Sequence, residues 1–311
     1  MRLLSIIFVF ILCTVFYAQK LSVNNISPLT SPEQGEFYYP YFHPDNNRVF
    51  FTRANNTGLY YYDLTDLRFV ELNTDAGAGY QPVFSEDGNY VYYRRQKYIN
   101  RRLFSDIVQQ NISSGAKTVI VREKRLLSTP YLYNGQELVY TEKNSVSMVN
   151  TATGKKSDPL KSSIKPAVFI EDTKIALYSG AQKQILTPLG DGNYIWPSVS
   201  PNGLQLLFTK AGFGTYISDL AGNILHEIGY ANAPQWSPDG QWIVYMVDRD
   251  DGHFILESDI FIVSADVSSR IQLTDTSDEI EMYPQWGPDS RRIVYSTERG
   301  QIFLLELTGD E

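Results

Sequence analysis

Cysteine is almost missing: the 311 residues include one, Cys13. A single thiol can build neither a disulfide framework nor a cysteine metal site. Helical periodicity is missing too. No segment repeats its apolar residues at a spacing of three or four over a helix length, so little or no α-helix is expected. Histidine is scarce, with only His43, His226 and His253. One apolar run stands out, Leu3 to Phe16, and it is shorter than the roughly 20 residues of a membrane span. Arg2 precedes it, and Ala18, Gln19 and Lys20 follow. That order reads as a secretory signal over residues 1–18, cut after Ala18, although Phe16 sits where a small residue is usual. Cleavage would remove Cys13 and leave residues 19–311 as one thiol-free domain.

What the chain has in quantity is aromatic residues, 14% with 22 Tyr, a composition that suits strands. It also has one phrase written seven times: a proline, a hydrophobic pair, a polar turn and a strand. The anchor prolines are Pro40, Pro82, Pro130, Pro166, Pro197, Pro234 and Pro284. The clearest copy runs from Pro197 to Gly229. Ser200-Pro201-Asn202-Gly203 is a tight turn, with Pro presetting φ and Gly free to take the left-handed position. Three further strands follow, separated by short turns. A strand-built repeat near 40 residues predicts a solenoid or propeller. Seven anchors predict seven blades; six would result if the weak Pro130 and Pro166 copies merged. The Pro166 copy is short and should lack a strand. The last copy ends after its third strand, and Leu21 to Ile26 can supply the fourth, closing the ring with both chain ends in one blade. The expected fold is all-β.

The net charge of -8 is unevenly spread. Residues 91–125 hold nine Lys or Arg against Asp106 and Glu123, whereas residues 231–311 hold sixteen Asp or Glu against five Arg. A ring places its first and last copies side by side, so the acidic segments form one sector away from the basic one. Solvated loops alone produce such a pattern; a polarised surface that orients a charged partner does so as well. Nucleic-acid binding is not expected, because it needs a broad basic surface.

The phrase Ala233-Pro234-Gln235-Trp236-Ser237-Pro238-Asp239-Gly240, with Tyr283-Pro284-Gln285-Trp286-Gly287-Pro288-Asp289-Ser290 and Trp196-Pro197-Ser198-Val199-Ser200-Pro201-Asn202-Gly203, resembles the WD40-like repeat of TolB-type β-propellers over residues 40–307. The resemblance implies a bacterial periplasmic or secreted protein that binds an envelope or secreted protein partner. TolB itself has an additional N-terminal α/β domain, for which this sequence leaves no room before the first anchor. Some relatives are the front domain of serine peptidases, but no Gly-x-Ser-x-Gly elbow is present. Polygalacturonate-degrading lyases with a similar propeller use clustered histidines, and no such cluster is visible here. Asp248-Arg249-Asp250-Asp251-Gly252 lacks the spacing of a calcium loop and reads as a solvated hairpin. The Ser-Pro-Asp-Gly aspartates read as turn caps. No metal or other cofactor is expected.

In this family the link from each outer strand to the next inner strand surrounds one mouth of the central channel. The expected site is therefore the set of residues just before the anchors: Tyr39, Tyr80 with Gln81, Thr129, Lys165, Trp196, Tyr230 with Ala233, and Tyr283. Tyr and Trp are enriched at binding hot spots, though rings at these positions could equally pack between blades. A basic, aromatic hairpin tip, Arg94, Arg95, Lys97, Arg101 and Arg102 around Tyr98, could touch an anionic polymer or a phospholipid surface. The expectation is an exported, non-enzymatic propeller that docks a protein partner at its mouth. The alternative is a glycan- or small-ligand-binding propeller, possibly a polysaccharide-active enzyme, using the same aromatic mouth.

Overall fold

The computed structural model describes residues 21–133, 135–143, 145–157, 166–179 and 182–309. Seven antiparallel sheets follow one another along the chain. Blade one is Tyr38–Phe42, Arg48–Arg53, Thr57–Asp63 and Arg68–Asn73. Blade two is Val83–Phe84, Tyr90–Ile99, Arg102–Asn111 and Lys117–Lys124. Blade three runs from Tyr131 to Ser157, blade five from Tyr194 to Gly229, and blade six from Asn232 to Gln272, each with four strands. Blade four has three strands among the described residues, from Ala167 to Leu186, so the short Pro166 copy forms a blade of its own and the ring has seven blades, not six. Among the described residues helix is confined to two short 3₁₀ turns, Pro32–Gln34 and Ala54–Asn56.

Blade seven joins the two ends of the chain. Its strands Glu281–Trp286, Arg292–Thr297 and Ile302–Gly309 take Leu21–Pro28 as the outermost member. The pairing runs antiparallel from Leu21 opposite Gly309 to Pro28 opposite Phe303. No sheet edge is left between the first and last blades.

The second strand of each blade explains why these segments are apolar throughout. Successive side chains of a strand point to opposite faces. In blade one, Val49 and Phe51 pack against Val294, Ile302 and Leu304 of blade seven. Phe50, between them, packs with Val91, Tyr93 and Val108 of blade two. Blade six repeats the scheme: Trp242, Val244 and Met246 face blade seven, while Ile243 and Tyr245 face Leu207 and Ile217 of blade five. The core is thus a set of layers between blades.

The polar turns behave as capped hairpins. In blade two, Asp87 Oδ1 accepts from Ser85 Oγ at 2.5 Å and from the Asn89 amide at 3.0 Å, with Gly88 at φ 69°. Asn202, Asp239 and Asp289 accept in the same way in blades five, six and seven. The aspartates of the repeat therefore hold turns.

Strand alternation fixes which loops share a face. In the blades whose four strands follow one another in sequence, the first-to-second and third-to-fourth turns lie at one end. The second-to-third hairpins and the links to the next blade lie at the other. Blades two and six have the longest second-to-third hairpins, Tyr90–Ile99 with Arg102–Asn111 and Trp242–Asp250 with Ile255–Ser264. The stretch Asp248 to Ser258 extends the strands of blade six into this hairpin; Asp250 and Asp251 accept amide hydrogens at the tip. Both long hairpins rise beside the links that surround the channel mouth.

Candidate functional site

Five residues directly preceding an anchor proline share one unusual backbone state. Tyr39, Gln81, Trp196, Ala233 and Tyr283 have φ of 52°, 49°, 50°, 48° and 55°. Left-handed backbone costs a bulky residue on the order of 1–3 kcal/mol and persists only where the surroundings impose it. In blades one, five, six and seven the inner strand slips register across this residue. A slip of this kind re-aims a side chain at the rim of a sheet. The fold therefore places a bulge at the same mouth position in most blades and fills three of those bulges with Tyr or Trp.

The structure gathers these residues into two groups. In the first, the rings of Tyr39 and Tyr283 meet with centroids 4.5 Å apart. Burial, then the Tyr39 hydroxyl and the nearby Asp248 carboxylate, push the Tyr283 hydroxyl up to about 12. Asp248 stands on the long hairpin of blade six. Its Oδ1 accepts from Asn232 Nδ2 at 2.5 Å and its Oδ2 from the Tyr230 hydroxyl at 3.1 Å. Burial and the Asp248 charge raise the Tyr230 hydroxyl as well. Tyr230 nevertheless keeps half its surface, 53%, exposed. Tyr39, Tyr283, Asp248, Asn232 and Tyr230 thus form one run of aromatic faces and polar atoms across blades six, seven and one.

The second group lies at blades one to three. Thr129 Oγ1 donates to Gln81 Oε1 at 3.0 Å, and the Gln81 amide donates to the Tyr41 hydroxyl at 3.3 Å. Burial raises the Tyr41 hydroxyl above its usual range. The Arg94 guanidinium lies 5.4 Å from the centroid of the Tyr80 ring, and Tyr80 is 44% exposed. Trp196 is half-buried in blade five, apart from both groups. Lys165 lies outside the described residues, as do residues 1–18 with the expected signal. Ala233 is buried and offers no surface.

Asn232, Asp248, Tyr41 and Arg94 were not anticipated as mouth residues. Tyr41 sits inside the anchor phrase itself and Asn232 two residues before Pro234, while Asp248 and Arg94 lie on second strands. The regular strand alternation beyond Tyr245 and Tyr92 is the signal that could have placed the last two.

The histidines do not converge. His43 is fully buried at a turn on the opposite face, where its Nε2 lies 2.9 Å from the Gly88 carbonyl oxygen. His226 is on the outermost strand of blade five, and His253 is exposed at the hairpin tip of blade six. Among the described residues no three His, Cys, Asp or Glu side chains are arranged to hold a metal ion.

No protein-family model matches the chain, and no curated protein matches it. Solved structures do. An oligogalacturonate lyase in complex with manganese superposes with a TM-score of 0.62 at 14% identity, covering 94% of this chain and 97% of the other. The oligogalacturonate lyase of Vibrio parahaemolyticus gives 0.61 at 11% identity, covering 93% and 97%. The Cps50 (Swd1) β-propeller domain of Myceliophteria thermophila gives 0.62 at 11% identity, covering 93% and 100%. At these identities the likeness establishes the seven-bladed propeller fold. The comparison nevertheless corrects the expectation of a non-enzymatic propeller that docks a protein partner. Two of these structures are enzymes that use this architecture along nearly its whole length. A missing motif excluded too much: a propeller assembles its mouth from loops of different blades, which leave no contiguous signature in the sequence.

Proposed function

We propose that this chain is a carbohydrate-active propeller that binds an oligosaccharide across its hairpin-side mouth and acts on it there. The observation that carries the reading is the run Tyr39, Tyr283, Asp248, Asn232 and Tyr230. Tyrosine rings offer flat apolar area at low entropic cost, which suits the C–H face of a sugar. Asp248 and Asn232 supply the few fixed polar groups that orient a ligand in such a site. The raised hydroxyls of Tyr283 and Tyr230 stay protonated through the neutral range and remain donors. Asp248, held by two hydrogen bonds, places a proton acceptor 3.1 Å from the Tyr230 donor. Asp248 is thereby the group in this run able to accept a proton from a sugar hydroxyl. The lyase neighbours support a sugar as the ligand class; the mechanism proposed here routes no step through a metal.

The repeat's likeness to TolB-type propellers and the Leu3 to Phe16 run support an exported protein, so the polysaccharide would be met outside the cytoplasm. A glycan array, followed by assays for new reducing ends and for the ultraviolet absorbance of unsaturated products, tests the reading on the full chain. Binding of an oligosaccharide is expected, and Tyr39→Ala with Tyr283→Ala should weaken it about tenfold, equivalent to about 1.4 kcal/mol. Asp248→Asn should lower turnover about a hundredfold while leaving binding measurable. A folded chain that neither binds nor turns over any oligosaccharide would overturn the proposal.

A further inference from the structure

The second group at the mouth contains a cation without a counter-charge. Arg94 is half-buried. Its Nη1 donates to the Leu127 carbonyl oxygen at 2.8 Å, and its Nε is buried without a partner. Among the described residues it makes no ion pair. Its neighbours on the same hairpin are treated differently. Arg95 and Lys97 both bond Asp106, which is fully buried, at 2.8 and 3.2 Å. Lys97 also meets Glu123, Lys117 meets Asp75 and Lys124 meets Glu142. Arg101 and Arg102, at the tip, are exposed to water. The other half-buried cations of blade two, Arg95, Lys97 and Lys124, thus each meet a carboxylate, and Arg94 does not.

Withdrawing a guanidinium from water is unfavourable unless its donors and its charge are met. Burial accordingly pulls Arg94 below its usual range. Beside it stands the Tyr80 ring, and next to Tyr80 in the chain the exposed Gln81 side-chain amide accepts from the Thr129 hydroxyl. A ring face, an amide, hydroxyls and an unpaired cation match one ligand chemistry: a sugar with an apolar face, hydroxyl groups and a carboxylate. A guanidinium has five donors in a planar fork, and bonds between such a fork and a carboxylate are among the strongest in proteins.

We propose that Arg94 is the anion subsite of the mouth and takes the carboxylate of an acidic sugar residue. The proposal rests on the carbohydrate reading above and narrows it to one class of ligand. Calorimetry with the full chain should compare uronate oligosaccharides, their methyl esters, neutral oligosaccharides of the same linkage and sulfated ones. Uronates are expected to bind about tenfold more tightly than their methyl esters, the size of one charge-assisted contact. Arg94→Met should remove that preference, and Arg94→Lys should keep part of it. Equal affinity for uronate and ester, a measurement that needs no variant, would overturn the subsite and leave the carbohydrate reading standing. A preference for sulfated sugars over uronates would overturn the carboxylate assignment. Binding of no sugar at all would remove both proposals.

Discussion

Replacing Phe37 with alanine is expected to cost about 3–5 kcal/mol of folding stability. Phe37 is fully buried where blade one meets blade seven. Its ring lies 5.0 Å from Phe51, 5.4 Å from Tyr60 and 5.3 Å from Phe69, centroid to centroid, all tilted. The Arg53 guanidinium lies 5.2 Å from the same ring, and the Phe37 amide donates to the Gly300 carbonyl oxygen at 2.7 Å. The side chain therefore fills the layer that joins the first and last blades. Alanine would leave a cavity between the aromatic rings of blade one and the Val294, Ile302 and Leu304 side chains of blade seven, two sheets that cannot collapse to fill it. Denaturant unfolding of the two chains, extrapolated linearly to water, measures the cost. Phe254→Ala, at a hairpin tip with 73% of its surface exposed, should change stability by less than about 0.5 kcal/mol. A loss below about 1 kcal/mol for Phe37→Ala would mean that the ring is not closed through this layer in solution.

The blade count was legible because each blade must restart with the same turn chemistry. Pro, then Ser or His, then Asp or Asn and Gly recur wherever an inner strand hands over to the buried second strand, and those turns are local. The closing strand was legible for a related reason: Leu21–Pro28 precedes the first anchor without belonging to its copy, and it pairs with Ile302–Gly309 of the last. The mouth was legible only in part. Tyr39, Gln81, Trp196 and Tyr283 were named as mouth positions because the residue before a proline is a fixed position in the repeat. Asp248 and Arg94 were not, since each belongs to one blade's hairpin and acts beside another blade's link. Such a meeting depends on three-dimensional register, which no spacing in one sequence encodes. Charge counting failed similarly. It registered the basic excess of residues 91–125 but not that Asp106, Glu123 and Glu142 each hold one or two of its cations, which leaves Arg94 as the half-buried exception.

Glu281 shows the same limit most sharply, and its titration gives the second large expected effect. In sequence it is one acid among many between Asp275 and Glu281. In the fold it begins the inner strand of blade seven with 1% of its surface exposed. Its Oε1 accepts from Thr276 Oγ1 at 2.7 Å, while Oε2 is buried without a partner. Burial raises its pKa from 4.5 to about 7; the Thr276 bond opposes the rise, and the charges of Asp259 and Glu279 add to it. The folded state therefore holds a proton that the unfolded chain releases near 4.5. Its stabilising effect is complete below that pH and is lost as the pH rises through about 7. At 1.36 kcal/mol per pKa unit, the loss is on the order of 3 kcal/mol. Glu281→Gln keeps an acceptor for Thr276 and cannot ionise. The two chains should be equally stable near pH 4.5, and the variant should be the more stable by up to about 3 kcal/mol at pH 8. Taking the difference between them cancels every other titrating group. Denaturant unfolding of both chains across this range gives the answer, and two curves that run parallel from pH 4.5 to 8 would show that Glu281 is charged and solvated in the folded protein.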